Sequence, residues 1–237
     1  MAQTAAITLL LLPGLDGTGD LFEPLLSKLP PEVSTQVVRY PTDRALSYAE
    51  LLTYVTECLP AEKPYIVLAE SFSTPLAVSL AARHPRNLRG LILCAGFVTN
   101  PARGWLRFLQ ALAWPLWCRR GIPAAAVSHF LVGRNAALEL QQRVVRTIQS
   151  VPPAIIAARI RFVARCDVRR ELASVSVPTL YLQPTDDRLV TPRSLEEIQK
   201  EKPDIQVVQV AGPHFLLQRE PSRATQVIAD FVRHSRT

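Results

Sequence analysis

Apolar residues along the chain fall into two alternating kinds of run. Short unbroken runs rich in β-branched and leucine side chains recur at Ile7–Leu12, Thr35–Tyr40, Tyr65–Ala69, Gly90–Ala95, Pro178–Gln183 and Ile205–Val210. Each has the length of a strand, and most are apolar on consecutive residues, as strands buried on both faces are. Between them lie patterns of helical spacing: Leu21–Leu29, Tyr48–Leu59, Ser71–His84, Pro192–Lys200 and Pro221–His234. Strand alternates with helix, which predicts an α/β fold with a mostly parallel sheet of about six strands flanked by helices. One stretch, residues 99–170, offers no convincing strand between two strands of that sheet. Its apolar positions recur at helical spacing, as in Ile156, Ile160 and Val163, with Arg161 and Arg165 on another face. It reads as a helical cap inserted into a core made of residues 1–98 and 171–237.

Composition narrows this picture. The 237 residues carry 27 Lys+Arg against 20 Asp+Glu, a net +7, and 48% are hydrophobic. A chain of this length buries most of its apolar surface in one core without disulfides or a metal. With 20 Pro and 9 Gly outside any repeat, collagen-like, linker-like and solenoid architectures are excluded. The distribution of charge says more than its sum. Residues 99–170 hold 12 Arg, no Lys and only Glu139 and Asp167, a local +10, while the rest of the chain balances at −3. Cys58, Cys94, Cys118 and Cys166 lie far apart with no C-x-x-C pair, so neither a zinc site nor a disulfide framework is expected, in keeping with a reducing cytoplasm. Ile7–Leu12 has no basic flank and runs into Pro13-Gly14 without a small-residue cleavage site, so it reads as a first strand and not as a leader. The apolar stretch around Trp105–Trp117 is broken by Arg107 and Pro115 and is shorter than the roughly 20 apolar residues a bilayer span requires. A soluble protein without an integral membrane segment is expected.

The sharpest chemical signal is Ala69-Glu70-Ser71-Phe72-Ser73, which follows one apolar run and opens a helical one. A serine on a tight strand-to-helix turn needs small residues two positions either side, and Ala69 and Ser73 are small. The plain alternative is a serine capping the backbone N–H groups of a helix start. Three more segments follow strands in the same way. They are Leu12-Pro13-Gly14-Leu15-Asp16-Gly17-Thr18-Gly19, the turn Pro184-Thr185-Asp186-Asp187-Arg188-Leu189-Val190-Thr191-Pro192, and Ala211-Gly212-Pro213-His214-Phe215. A phosphate-binding loop would need G-K-[ST] or G-x-G-x-x-G, and neither is present.

Together these four segments resemble the α/β-hydrolase family of serine esterases, whose nucleophile elbow has the form G-x-S-x-G and whose catalytic residues run Ser, Asp, His along the chain. Here both elbow glycines are replaced, and Pro13 stands where the family usually has His. The resemblance implies Ser71 as nucleophile and His214 as general base. Asp187 would be the acid that orients the imidazole, with Asp186 as its competitor. It also implies the N–H groups of Leu15 and Phe72 as the oxyanion hole. His84, His129 and His234 fit the histidine position less well. No cofactor and no metal are implied, and a serine nucleophile disfavours the epoxide hydrolase and haloalkane dehalogenase branches. The resemblance covers about residues 5–98 and 172–235.

In this family a helical cap sets substrate choice. Trp105, Phe108, Trp114, Trp117 and Phe130 could line an apolar acyl pocket or simply pack the cap on the sheet. Arg161, Arg165 and Arg169 recur every four residues and would form one stripe if their helix continues, with Arg143 and Arg146 on a neighbouring helix. A basic cap over an esterase site is similar to that of the pimeloyl-[acyl-carrier protein] methyl ester esterase-like carboxylesterases. That resemblance implies an acidic acyl carrier protein as a partner of Arg143, Arg146, Arg161 and Arg165; solvated arginines are the plain alternative. The expected function is a serine carboxylesterase hydrolysing a medium-size apolar small-molecule ester or thioester. The Leu-Pro-Gly-Leu-Asp-Gly-Thr-Gly and Glu-Ser-Phe segments are also similar to a plastid branch of acyltransferases, which leaves acyl transfer to an alcohol open. A non-catalytic hydrolase-fold binding module using the basic cap is open as well. No helix-turn-helix, zinc motif or aromatic-interleaved basic strand points to nucleic acid.

Overall fold

The computed structural model describes residues 7–102 and 126–235. Six strands form one sheet: β1 (Thr8–Leu12), β2 (Ser34–Val37), β3 (Tyr65–Glu70), β4 (Leu88–Cys94), β5 (Thr179–Pro184) and β6 (Gln206–Val210). Their order is β2-β1-β3-β4-β5-β6, and every pairing is parallel. Each expected strand is present within one or two residues at most ends. β2 is the exception, since it is shorter than the run Thr35–Tyr40, and its outer position leaves most of its side chains exposed. The helices are α1 (Glu23–Leu26), α2 (Tyr48–Glu57), α3 (Thr74–Ala81), α4 (Leu138–Gln149), α5 (Pro153–Arg165), α6 (Arg169–Ser174), α7 (Pro192–Glu201), α8 (Leu216–Arg219) and α9 (Pro221–His234). The start of α2 is set locally, because Ser47 and Glu50 form a reciprocal capping box.

Alternate residues of the central strands feed two cores. Leu10, Leu12, Val67, Ala69, Leu91 and Leu93 pack under α2, α3 and α7, whereas Leu9, Leu11, Ile66, Leu68, Ile92 and Leu180 pack with Phe22, Leu25, Leu216 and Ile228 of the opposite layer. Full burial of each such side chain stabilises the fold by about 1.5–3 kcal/mol, which is why the pattern is continuous where helices cover both faces. β4 carries Gly90 because a Cβ there would come within 2.8 Å of the Phe231 ring on α9.

From β1 the chain crosses to β2 on one side, and β3 then pairs on the other side of β1. The connections therefore reverse between β1 and β3, and open α/β sheets bind ligands at such a switch point. Between β4 and β5 the chain leaves the sheet. An antiparallel bridge between Thr99 and Asp167, together with the Val168 N–H donating to the Val98 carbonyl at 2.8 Å, ties the two ends of this excursion. Its described part contains a π-helical turn at Val127–Val132, then α4 and α5. The chain returns to the sheet through α6, which packs against α7 and α3.

Candidate functional site

The first candidate residue sits where β3 turns into helix. Ser71 takes φ +50, a left-handed conformation costly for a residue with a Cβ, and it persists because both flanks are held. On one side β3 is wholly buried; on the other a short 3-10 turn, Ser71–Ser73, runs into α3. The Thr74 hydroxyl donates to the Ser71 carbonyl at 2.8 Å and accepts from the Phe97 N–H at 3.1 Å. Ser73, fully buried, does more than be small. Its hydroxyl donates to the Pro13 carbonyl, so Tyr40, 2.5 Å away, is the donor in their contact. A glycine in its place could not tie the turn to the loop after β1.

That loop is a compact turn. The Gly17 N–H donates to the Gly14 carbonyl at 3.1 Å, and the Asp16 carboxylate accepts from the Thr18 N–H and hydroxyl at 2.9 and 2.7 Å. Gly17 at φ +70 lets the chain double back toward Tyr40, whose N–H reaches the Gly17 carbonyl at 2.8 Å. Leu15 is half-buried at its centre, and Phe72 is buried in the adjoining 3-10 turn.

His214 follows β6, is 2% exposed, and stands between two of the other candidates. Its Nδ1 lies 2.7 Å from Asp187 Oδ2 and its Nε2 lies 2.8 Å from Ser71 Oγ. A carboxylate only accepts, so Nδ1 carries the proton and Nε2 accepts from the Ser71 hydroxyl. The other carboxylate oxygen of Asp187 accepts from the N–H groups of Leu189 and Val190 at 2.8 and 2.9 Å, which fixes its orientation. Asp186 is exposed, and its N–H pins the turn to the Gly212 carbonyl at 2.9 Å. Burial lowers the His214 pKa, but the Asp187 charge and hydrogen bond outweigh it and leave the imidazole above its ordinary value. Such a chain can pass the Ser71 proton to His214 as the oxygen attacks a carbonyl. The other histidines lie apart: His84 faces Ser176, His129 faces Arg188, and His234 reaches the Asp230 carbonyl.

The model of the serine aminopeptidase S33 family (Hydrolase_4) matches residues 47–215, well over half of the chain and all three of these side chains. The chain belongs to that family. No curated protein matches it in sequence. Among solved structures, it is similar to an esterase from Exiguobacterium antarcticum (TM-score 0.85, 15% identity, 97% of this chain and 92% of that one). It is also similar to a hydrolase from Oleispira antarctica (0.82, 16%, 96% and 91%). A thermophilic esterase from Thermogutta terrifontis is a third (0.79, 21%, 98% and 92%). At such identities the likeness shows the α/β-hydrolase fold.

Around the centre of this S33-family chain lie groups that the motifs did not single out. Glu70, directly before Ser71, is 2% exposed, with Oε2 accepting from Gln218 Nε2 at 3.2 Å and Oε1 without a partner among the described residues. Burial pushes its pKa up from 4.5 to about 7, against the Gln218 hydrogen bond and the His214 charge, which lower it. An acid closing an otherwise apolar strand run was the available signal. The Phe72 ring meets Phe162 of α5 edge-on at 5.5 Å, and Phe162 stacks on Tyr48 at 4.2 Å. Of the expected pocket aromatics, Trp105, Phe108, Trp114 and Trp117 lie outside the described residues, and Phe130 is on the surface against His129.

The arginines divide. Arg143 is taken up by Glu23, with Glu139 at 3.9 Å. Arg146, Arg161 and Arg165 are exposed. The stripe expected to run on to Arg169 is interrupted, because α5 ends at Arg165 and the chain leaves the helix at 166–168, where Asp167 bridges to Thr99; Arg169 pairs instead with Asp167 at 2.6 Å. Among the described residues no helix is long and apolar enough to cross a membrane, and no cluster of three or more His, Cys, Asp and Glu could hold a metal ion.

Proposed function

We propose that the protein is a cofactor-independent serine carboxylesterase acting on a medium-size, largely apolar acyl ester or thioester. The observation that carries this is the hydrogen-bonded chain from Ser71 through His214 to Asp187, with Ser71 held at φ +50. Ser71 Oγ forms a bond to the acyl carbon while His214 Nε2 takes its proton, and Asp187 stabilises the imidazolium. The N–H groups of Leu15 and Phe72 bind the oxyanion. Collapse of that intermediate breaks the bond to the leaving group, which takes the proton from His214. Water, deprotonated by His214, then releases the acid and restores Ser71.

The packing of the rings of Phe72, next to Ser71 in sequence, Phe162 of α5 and Tyr48 favours an apolar acyl group. Residues 99–170 are read as a cap whose neck is the Thr99–Asp167 bridge. The exposure of Arg146, Arg161 and Arg165 on that segment favours an acidic carrier, such as an acyl carrier protein bearing a pimeloyl methyl ester, as the natural donor. The test is p-nitrophenyl ester turnover across acyl lengths, with fluorophosphonate labelling of Ser71. Ser71→Ala should lose both labelling and turnover. Undiminished hydrolysis by that variant, or turnover confined to aminoacyl p-nitroanilides, overturns the assignment. A carrier-bound ester consumed no faster than the free ester, whatever the salt concentration, removes the carrier reading alone.

A further inference from the structure

Among the described arginines of residues 99–170, Arg159 reaches the centre. It lies on the face of α5 that buries Ile155 and Ile156, and it is only 5% exposed. Its Nη1 donates to the Leu15 carbonyl at 2.9 Å and to the Asp16 carbonyl at 2.5 Å, and Nη2 donates to the Pro41 carbonyl at 3.2 Å. The guanidinium lies over the Tyr40 ring, 5.5 Å from its centroid. Gly17 makes room for it, since a Cβ there would fall 2.4 Å from Nη1.

These contacts complete a set. Along the loop after β1, the Pro13 carbonyl is held by Ser73, the Gly14 carbonyl by the Gly17 N–H, and the carbonyls of Leu15 and Asp16 by Arg159. Successive peptide planes on both sides of the Leu15 N–H are therefore fixed. Burying a guanidinium costs free energy, and the three carbonyls it serves would be left without a donor if it were removed. The planar fork lets Nη1 serve the Leu15 and Asp16 carbonyls while Nη2 reaches the Pro41 carbonyl, a spread that a single lysine ammonium spans less well.

We infer that Arg159 is a positioning residue that orients the Leu15 N–H toward the developing oxyanion, so that the seating of α5 from the excursion between β4 and β5 sets the reactivity of Ser71. The inference rests on the esterase reading given above. When α5 is seated, the loop presents its donor; when it lifts, the Leu15 and Asp16 carbonyls lose their partner, and the plane carrying the Leu15 N–H is left with only the Gly17 N–H bond to the Gly14 carbonyl to hold it. The loop and α5 are about 140 residues apart in sequence, so only docking of the excursion brings them together.

The test compares the full chain with Arg159→Met and Arg159→Lys, using p-nitrophenyl ester kinetics, thermal midpoints and inhibition by a trifluoromethyl ketone that forms a tetrahedral adduct. Arg159→Met should lower kcat by about 10²–10³-fold, the scale for losing an oxyanion donor, with little change in KM. Trifluoromethyl ketone affinity should fall in proportion to kcat/KM. Arg159→Lys, which keeps charge and bulk, should recover part of the loss and serves as the readout if the methionine variant does not fold. Parental kcat in a folded Arg159 variant overturns the inference, as does a loss confined to KM. If Ser71→Ala hydrolyses the ester as the parent does, it is the esterase reading that fails; if Ser71→Ala is inactive and the Arg159 variants match the parent, only the positioning role fails.

Discussion

Replacing Glu70 by Gln should change how stability depends on pH more than it changes stability itself. The carboxyl is 2% exposed, receives one hydrogen bond from Gln218 and has one oxygen without a partner among the described residues. Burial therefore raises its pKa from 4.5 to about 7, so the folded chain keeps a proton that the unfolded chain releases across that interval. Where the folded state binds more protons, stability falls as pH rises, and the loss is complete above the folded pKa. A displacement from 4.5 to about 7, at about 1.4 kcal/mol for each pH unit, amounts to about 3 kcal/mol. Gln keeps the oxygen that accepts from Gln218 and cannot ionise, so its buried amide carries a cost that does not vary with pH. Melting both proteins from pH 4.5 to pH 8 isolates the term, because the other titrating groups largely cancel in the difference; His214, which the Glu70 charge pushes upward, makes a smaller contribution. For a chain of this length 3 kcal/mol corresponds to about 6–12 °C. The melting temperature of E70Q relative to the parent should rise by that much between the two pH limits. Parallel curves would refute the argument that the buried carboxyl is protonated in the folded state.

Glu70→Gln should also move the acid limb of kcat/KM slightly to lower pH, because the fraction of Glu70 ionised near pH 7 raises the imidazole pKa and the amide carries no charge; a limb that moves upward contradicts this. On the proposed reading, in which His214 is the base and must be neutral, half of the parent's activity should be lost above pH 6.5 on acidification, because the imidazole pKa lies above the ordinary 6.5. Asp187→Asn should lower kcat by about 10⁴-fold with the circular dichroism spectrum unchanged, as the amide cannot stabilise the imidazolium or hold its tautomer. Ser73→Ala should cost about 1–3 kcal/mol in urea unfolding, because it strands the Pro13 carbonyl and the Tyr40 hydroxyl in a buried site; a midpoint shift below a few tenths of a kcal/mol would show that neither contact matters.

The order of strands and helices is written in local pattern. A run such as Tyr65–Ala69, apolar at every position and followed by small residues around a serine, states strand, turn and helix without reference to the rest of the chain. The four loops bearing Leu15, Ser71, Asp187 and His214 were legible for the same reason, since each follows a strand whose C-terminal end the topology brings to one edge. What spacing alone does not carry is contact between side chains far apart in sequence. Asp186 and Asp187 are neighbours of equal chemistry, and only the turn closed by the Leu189 and Val190 N–H groups aims one of them at His214. Arg159, Arg161 and Arg165 look alike in a basic helical stretch. The packing of Ile155 and Ile156 decides that Arg159 faces inward to the Leu15 loop while its neighbours face water. The burial of Glu70, and with it a carboxyl that holds its proton near neutrality, likewise depends on layers closing over the end of β3 from both sides. Periodicity is a property of nearest neighbours and survives in the sequence; desolvation and hydrogen bonding of single buried groups depend on what the fold lays against them.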